Sequence, residues 1–198
     1  MTQSPIIDAH IHLWPASAAN TTSHAWMKPG DHLAKQYSID TYLQATASKA
    51  QDVDLTGFVY VETDRTIVHD YGKDIKVWAA EPLKEISFLR GVVEGTANKE
   101  SGVNASHATL LKGIVAWAPL DRPLHDFLQY ITIAKKVAGE QTWNKIKGFR
   151  FLLQGIKDEA LFKALLDTST SSFIMLLKFL GTHNFSFDVG VDQRQVTE

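Results

Sequence analysis

Cysteine occurs nowhere in the 198 residues, which excludes disulfides, thiolate nucleophiles and thiolate metal ligands. Histidine, aspartate and glutamate remain as the side chains able to hold a metal. No long apolar run is present either: the longest cluster, Phe173 to Leu180, is broken by Lys178 and reads as core. The amino terminus has no basic stretch followed by an apolar one, so no secretory leader is expected and the reading is a soluble, cytoplasmic protein. A charge excess is also missing. With 20 basic and 22 acidic residues, net −2 and scattered, neither nucleic acid nor a membrane surface is an expected partner. Glycines are few, at 12, and no Gly-rich phosphate fingerprint follows the first strand-like stretch, which counts against a dinucleotide fold.

Against these absences stands a hydrophobic content of 44%, enough for a packed core and for one domain spanning residues 1–198. The chain is organised around Ile6 to Trp14. Its period-two alternation puts Asp8, His10 and His12 on one face and Ile7, Ala9, Ile11 and Leu13 on the other. Pro15 to Tyr37 has no period and reads as a long loop. Ser38 looks like an N-cap for a helix carrying Ile39, Tyr42, Leu43, Thr46, Ala47 and Ala50. Thr56 to Thr63 is a second strand, and Glu81 to Glu94 a helix with Pro82 in its first turn. After a polar surface stretch from Gly95 to Ser106, Lys112 to Ala118 forms a third strand closed by Pro119. An amphipathic helix follows from Leu124 to Ala134. Lys147 to Leu153 is a fourth strand, Asp158 to Leu180 a helix or helix pair stopped by Gly181, and Phe185 to Val191 a fifth strand. Strict alternation of strand and helix predicts an α/β fold with a parallel sheet, either doubly wound or the start of a (β/α)8 barrel.

Several residues stand out within this frame. His10 and His12 converge on one spot, where a divalent metal or a hydrogen bond between them would satisfy both imidazoles. Arg150 sits in an apolar strand and calls for a carboxylate, Asp188 or Glu62, or for a ligand oxygen. Asp188 is a mid-strand carboxylate whose simplest role is to partner Arg150. Trp14 at a strand end either packs or walls a sugar-sized pocket. His24, His32, His69, His107, His125 and His183 fall in loops or at helix ends and read as solvated surface.

The stretch Ile7-Asp8-Ala9-His10-Ile11-His12-Leu13-Trp14 resembles the first barrel strand of the amidohydrolase superfamily, in the amidohydrolase-related branch of sugar-lactone hydrolases and some metal-dependent decarboxylases. Gly57 to Glu62, Ile114 to Asp121, Lys147 to Arg150 and Phe187 to Val191 are similar to the branch's next four strands, most of all in its fungal rhamnono-lactonase-like members. The resemblance spans essentially the whole chain. It implies a TIM-barrel-type fold with His10 and His12 at the carboxyl-end mouth, holding a divalent metal such as zinc. Within that reading Glu62 and Arg150 are the candidate catalytic residues and Trp14 and Asp188 the candidate substrate contacts. The implied reaction is metal-assisted opening of a sugar-acid lactone by activated water, with a small-molecule substrate. A non-oxidative decarboxylase on the same scaffold is the alternative. A closed barrel takes about 250 residues, whereas five strands are legible. The expectation is therefore the N-terminal part of a barrel, with a further histidine ligand and an aspartate general base beyond Glu198. An inactive truncated product that buries its open sheet edges in a homo-oligomer is the corresponding non-enzymatic expectation.

Overall fold

The β-branched and aromatic runs form parallel strands, and the 3.6-period segments between them form the crossovers. A computed structural model describes residues 4–47, 53–69, 74–96 and 102–195. The strands are β1 (Ser4–Ile11), β2 (Val53–Val61), β3 (Leu111–Trp117), β4 (Ile146–Arg150) and β5 (Ser186–Asp188). Between them lie α1 (Ile39–Ala47), α2 (Ile75–Trp78), α3 (Ala80–Glu94), α4 (Leu124–Trp143), α5 (Glu159–Leu166) and α6 (Ser172–Thr182).

Each strand pairs in parallel with the next, in the order β1-β2-β3-β4-β5. Right-handed crossovers that always step in one direction place every helix on the same face of the sheet. The sheet accordingly curls as a half-barrel. A doubly wound sheet reverses its strand order at a switch point; this one does not, so the barrel-type alternative is the one realised. Ile86, Leu89 and Val92 of α3, Phe127 and Tyr130 of α4, and Phe173, Leu176 and Leu180 of α6 form one buried cluster with Phe58, Ile114 and Phe149 of the strands. The stretch Phe173 to Leu180 thus puts one face, Phe173, Leu176 and Leu180, into the core, and among the described residues no helix is long and apolar enough to cross a membrane.

β4 and β5 stop at Arg150 and Asp188, short of the expected Leu153 and Val191, β2 spans Val53–Val61 rather than 56–63, and α4 runs on to Trp143. Further departures have identifiable reasons. The apolar face of the first strand is buried only at its far end: Ile11 and Leu13 are 7% and 3% exposed, whereas Ile7 is 54% exposed. β1 is an outer strand with β2 on one flank, so its first half lacks cover. The segment at 15–37 is more than a polar loop. An antiparallel bridge between Trp14 and Tyr37 closes it, and Trp14, Ala18 and Met27 give it a small core of its own. Helix α6 runs past Gly181 to Thr182, and Asn184, at φ 59°, takes the left-handed position beyond its end. Ser38 does cap α1, its hydroxyl accepting from the Thr41 N–H at 3.2 Å. Residues 48–50, to which the helix pattern was extended, lie outside the described residues.

Candidate active site

Every strand of the curled sheet points its carboxyl end the same way, and that rim gathers the polar residues singled out in the sequence. At the end of β1, His10 Nε2 and His12 Nε2 lie 3.1 Å apart. His12 Nδ1 is 3.0 Å from the carbonyl oxygen of Val61. A carbonyl only accepts, so Nδ1 carries the hydrogen, and the neutral ring presents its Nε2 lone pair to His10. Burial lowers the His12 pKa, and the neighbouring His10 and Arg150 charges lower it further, against the raising effect of the Val61 hydrogen bond. Two nitrogens bound to one tetrahedral zinc stand about 3.3 Å apart, so this pair suits a divalent ion of that kind as two of its donors. Asp8 shares their face, but its carboxylate is engaged by the Tyr42 hydroxyl at 2.9 Å and by the His10 N–H at 3.1 Å. Among the described residues no group of three or more His, Asp or Glu gathers to complete a metal site.

Across the rim, Arg150 ends β4 and is register-paired with Asp188 on β5. Its Nε is 3.1 Å from Asp188 Oδ2 and 3.6 Å from Glu62 Oε1 at the end of β2, so both anticipated carboxylates meet one guanidinium. Gly190 leaves space for that guanidinium. A Cβ there would stand 3.1 Å from Arg150 Nη2 and 2.8 Å from Leu152 Cδ2. Glu62 Oε2 accepts from the Asp64 N–H at 2.7 Å. Its Oε1, like Arg150 Nε, is buried with no hydrogen bond among the described residues. Burial, reinforced by the Glu85 charge, pushes the Glu62 pKa up to about 8 against the lowering effects of the Asp64 N–H and Arg150.

A cavity of about 450 Å³ lies between these groups. His12, Glu62 and Arg150 form one side of it; Trp14 and Trp26, 5.8 Å apart and edge to face, form an aromatic wall. Trp14 is 5% exposed, and its indole N–H donates to the Lys35 carbonyl at 2.7 Å, so it packs and lines the cavity at once. Asp188 stands behind Arg150 as its partner and is absent from the cavity lining, as is His10.

The sequence reading missed a buried polar network beneath this rim. His24, expected on the surface, is 0% exposed, with Nδ1 donating to the Ala18 carbonyl at 2.8 Å and Nε2 meeting Thr63 Oγ1 at 2.8 Å. Trp14 and Trp26 pack against its ring and exclude water. His107 is also buried, capping the turn at Ala105–Thr109 and pairing with Asp40 at 3.1 Å. Glu85 of α3 accepts from the Tyr60 hydroxyl at 2.7 Å and from the Thr63 N–H at 3.0 Å, and the Thr63 hydroxyl sits between Glu85 and His24 Nε2. Arg65 lies 3.6 Å from Glu85 and 3.7 Å from Glu81. The available signal was Glu81 and Glu85, one turn apart in line with the apolar stripe of α3, where carboxylates require a buried cation.

The fold and rim define an α/β half-barrel protein with a polar, aromatic-walled cavity at the carboxyl ends of its strands. Over 195 residues the chain is 28% identical to an L-rhamnono-gamma-lactonase of Scheffersomyces stipitis, an alignment covering 98% of this chain and 53% of that protein. The chain therefore spans about half the length of this curated relative. No family model matches the chain. No solved structure matches it.

Proposed function

We propose that this chain carries the site of a hydrolase of the amidohydrolase-related type that opens the lactone of a sugar acid. The observation that carries the reading is the gathering of His12, Glu62 and Arg150 from three strand ends around one cavity facing two indoles, in a chain 28% identical to a lactonase. The aromatic wall suits the apolar face of a sugar ring. Arg150, held by Asp188, is positioned to donate to a ring or carbonyl oxygen. Glu62, protonated near neutral pH, offers a proton to the alkoxide released when the ester bond opens. His10 and His12 would hold a divalent metal, zinc by donor type, through their facing Nε2 atoms. When bound, such an ion polarises the lactone carbonyl and acidifies a water.

The test is hydrolysis of a panel of aldonolactones by the purified chain, followed by acid release at constant pH. Turnover above the spontaneous rate that is lost in Arg150→Met and His12→Ala is expected. Rates indistinguishable from the buffer blank for every lactone would overturn the reading.

A further inference from the structure

A second cavity, of about 380 Å³, opens beside the first at the ends of β2, β3 and β4. Asp64 and Leu152 line both. Asp64 is one of two non-glycine residues with positive φ, 55°, among the described residues, and this left-handed turn sets it between the two spaces. The new cavity presents two carboxylates, Asp64 and Asp121, beside Thr66, with Trp78 and Trp117 as apolar walls. Asp121 has the Arg122 Nε at 3.9 Å and the His69 charge beside it, and the Arg122 guanidinium lies over the Trp78 ring at 5.3 Å. Desolvation raises the pKa of both carboxylates, against the Arg150 charge at Asp64 and against Arg122, a backbone N–H and His69 at Asp121, while Thr66 Oγ1 is buried without a hydrogen-bond partner among the described residues.

What could occupy this space and meet Thr66 follows from the charges around it. Arg65 and Arg122 line the same space and repel a cationic ligand. The carboxylates repel an anion. A neutral group bearing several hydroxyls satisfies the carboxylates and the threonine and rests its carbon skeleton on the indole edges.

We propose that the second cavity is a subsite for the hydroxyl-bearing arm of a lactone whose ring occupies the first, with Asp64 contacting both parts at the junction. This rests on the lactone reading of the first cavity and adds the substrate class: a lactone with an exocyclic polyol arm is preferred over a bare ring.

The experiment compares a six-carbon aldono-1,4-lactone, which carries a two-carbon arm, with erythrono-1,4-lactone, which carries none, on the full chain and on Asp121→Ala and Asp121→Asn. The wild-type chain favours the six-carbon lactone. Asp121→Ala lowers the six- to four-carbon ratio of kcat/KM about tenfold, chiefly through KM, as expected for one lost hydrogen bond to a charged group. Asp121→Asn, which keeps an acceptor oxygen, recovers most of the ratio. Equal losses on both lactones, or no change in the ratio, overturn the subsite. If neither lactone turns over, the hydrolase reading fails, and calorimetric titration with the same two lactones decides the subsite separately. Arm-dependent affinity that disappears in Asp121→Ala upholds it, and affinity independent of the arm overturns it. Thermal melts of both variants establish that they fold.

Discussion

His10 and His12 face each other through Nε2 atoms 3.1 Å apart, and the Val61 carbonyl, 49 residues beyond His12, sets which nitrogen of His12 is free. The two strands thus cooperate in one donor pair: β1 supplies the rings and β2 orients one of them. Calorimetric titration with Zn²⁺ should show binding that His12→Ala weakens at least tenfold, the scale of losing one ligand or its orienting partner. Binding should also weaken at acid pH, below the ordinary imidazole value of 6.5, as His12, its pKa lowered by burial, takes up a proton. Identical zinc binding by the variant would remove the pair from metal chemistry.

Glu62 yields a stability prediction with a definite sign. Its folded pKa, about 8, lies above the ordinary carboxyl value of 4.5, so between those pH values the folded state holds a proton that the unfolded state has released. This contribution to stability is full below pH 4.5 and is lost as pH rises towards 8. Glu62→Gln, which cannot ionise, should gain melting temperature relative to wild type as pH rises from 5 to 8. A constant difference across that range would show that Glu62 titrates normally.

His24 works in the opposite direction. Burial, with the Arg65 charge, lowers its pKa below 6.5, so the unfolded state takes up a proton before the folded state does. Stability is lost as pH falls below about 6.5. His24→Gln should cost about 1–3 kcal/mol at pH 7.5 by breaking buried hydrogen bonds, with a smaller deficit at pH 5.5. Chemical denaturation of both proteins at the two pH values measures this, and an equal deficit at both contradicts it.

Gly190 and Arg150 should behave as one unit. Gly190→Ala places a methyl group against Leu152 and the Arg150 guanidinium, at a packing cost of about 1–3 kcal/mol. A displaced guanidinium should lower kcat/KM on lactones about 100-fold, the scale of an ångström-sized misplacement. Arg150→Met should leave Glu62 and Asp188 without their cation, and the combined variant should lose little more activity than Arg150→Met alone. Losses that multiply would separate the two residues.

Much of the sheet was legible because its strands are short β-rich runs with sharp ends. β3 closes at Trp117 before Pro119, and Arg150 in an apolar strand announced its need for Asp188 and Glu62. The burial of His24 was not legible, because it depends on Trp14, Trp26 and Tyr37 meeting across a loop, and no local period encodes that meeting. The tryptophan and methionine content of that loop was the available hint. Arg65, Glu81 and Glu85 escaped notice for a related reason. Each looks like an ordinary surface charge until β2 and α3 are placed side by side.

The sequential strand order also bears on how the chain acquires its shape. Among the described residues every sheet partner of a strand is its neighbour in sequence, so no pairing has to close more than one strand-to-strand connection, although the first two, residues 12–52 and 62–110, are long. A chain emerging from the ribosome can add one strand–helix unit at a time to a sheet already in place. The donor pair of β1 becomes oriented as soon as β2 docks, before Arg150 has been synthesised. A zinc ion held by the pair as proposed would therefore find both rings in place before the rest of the rim exists.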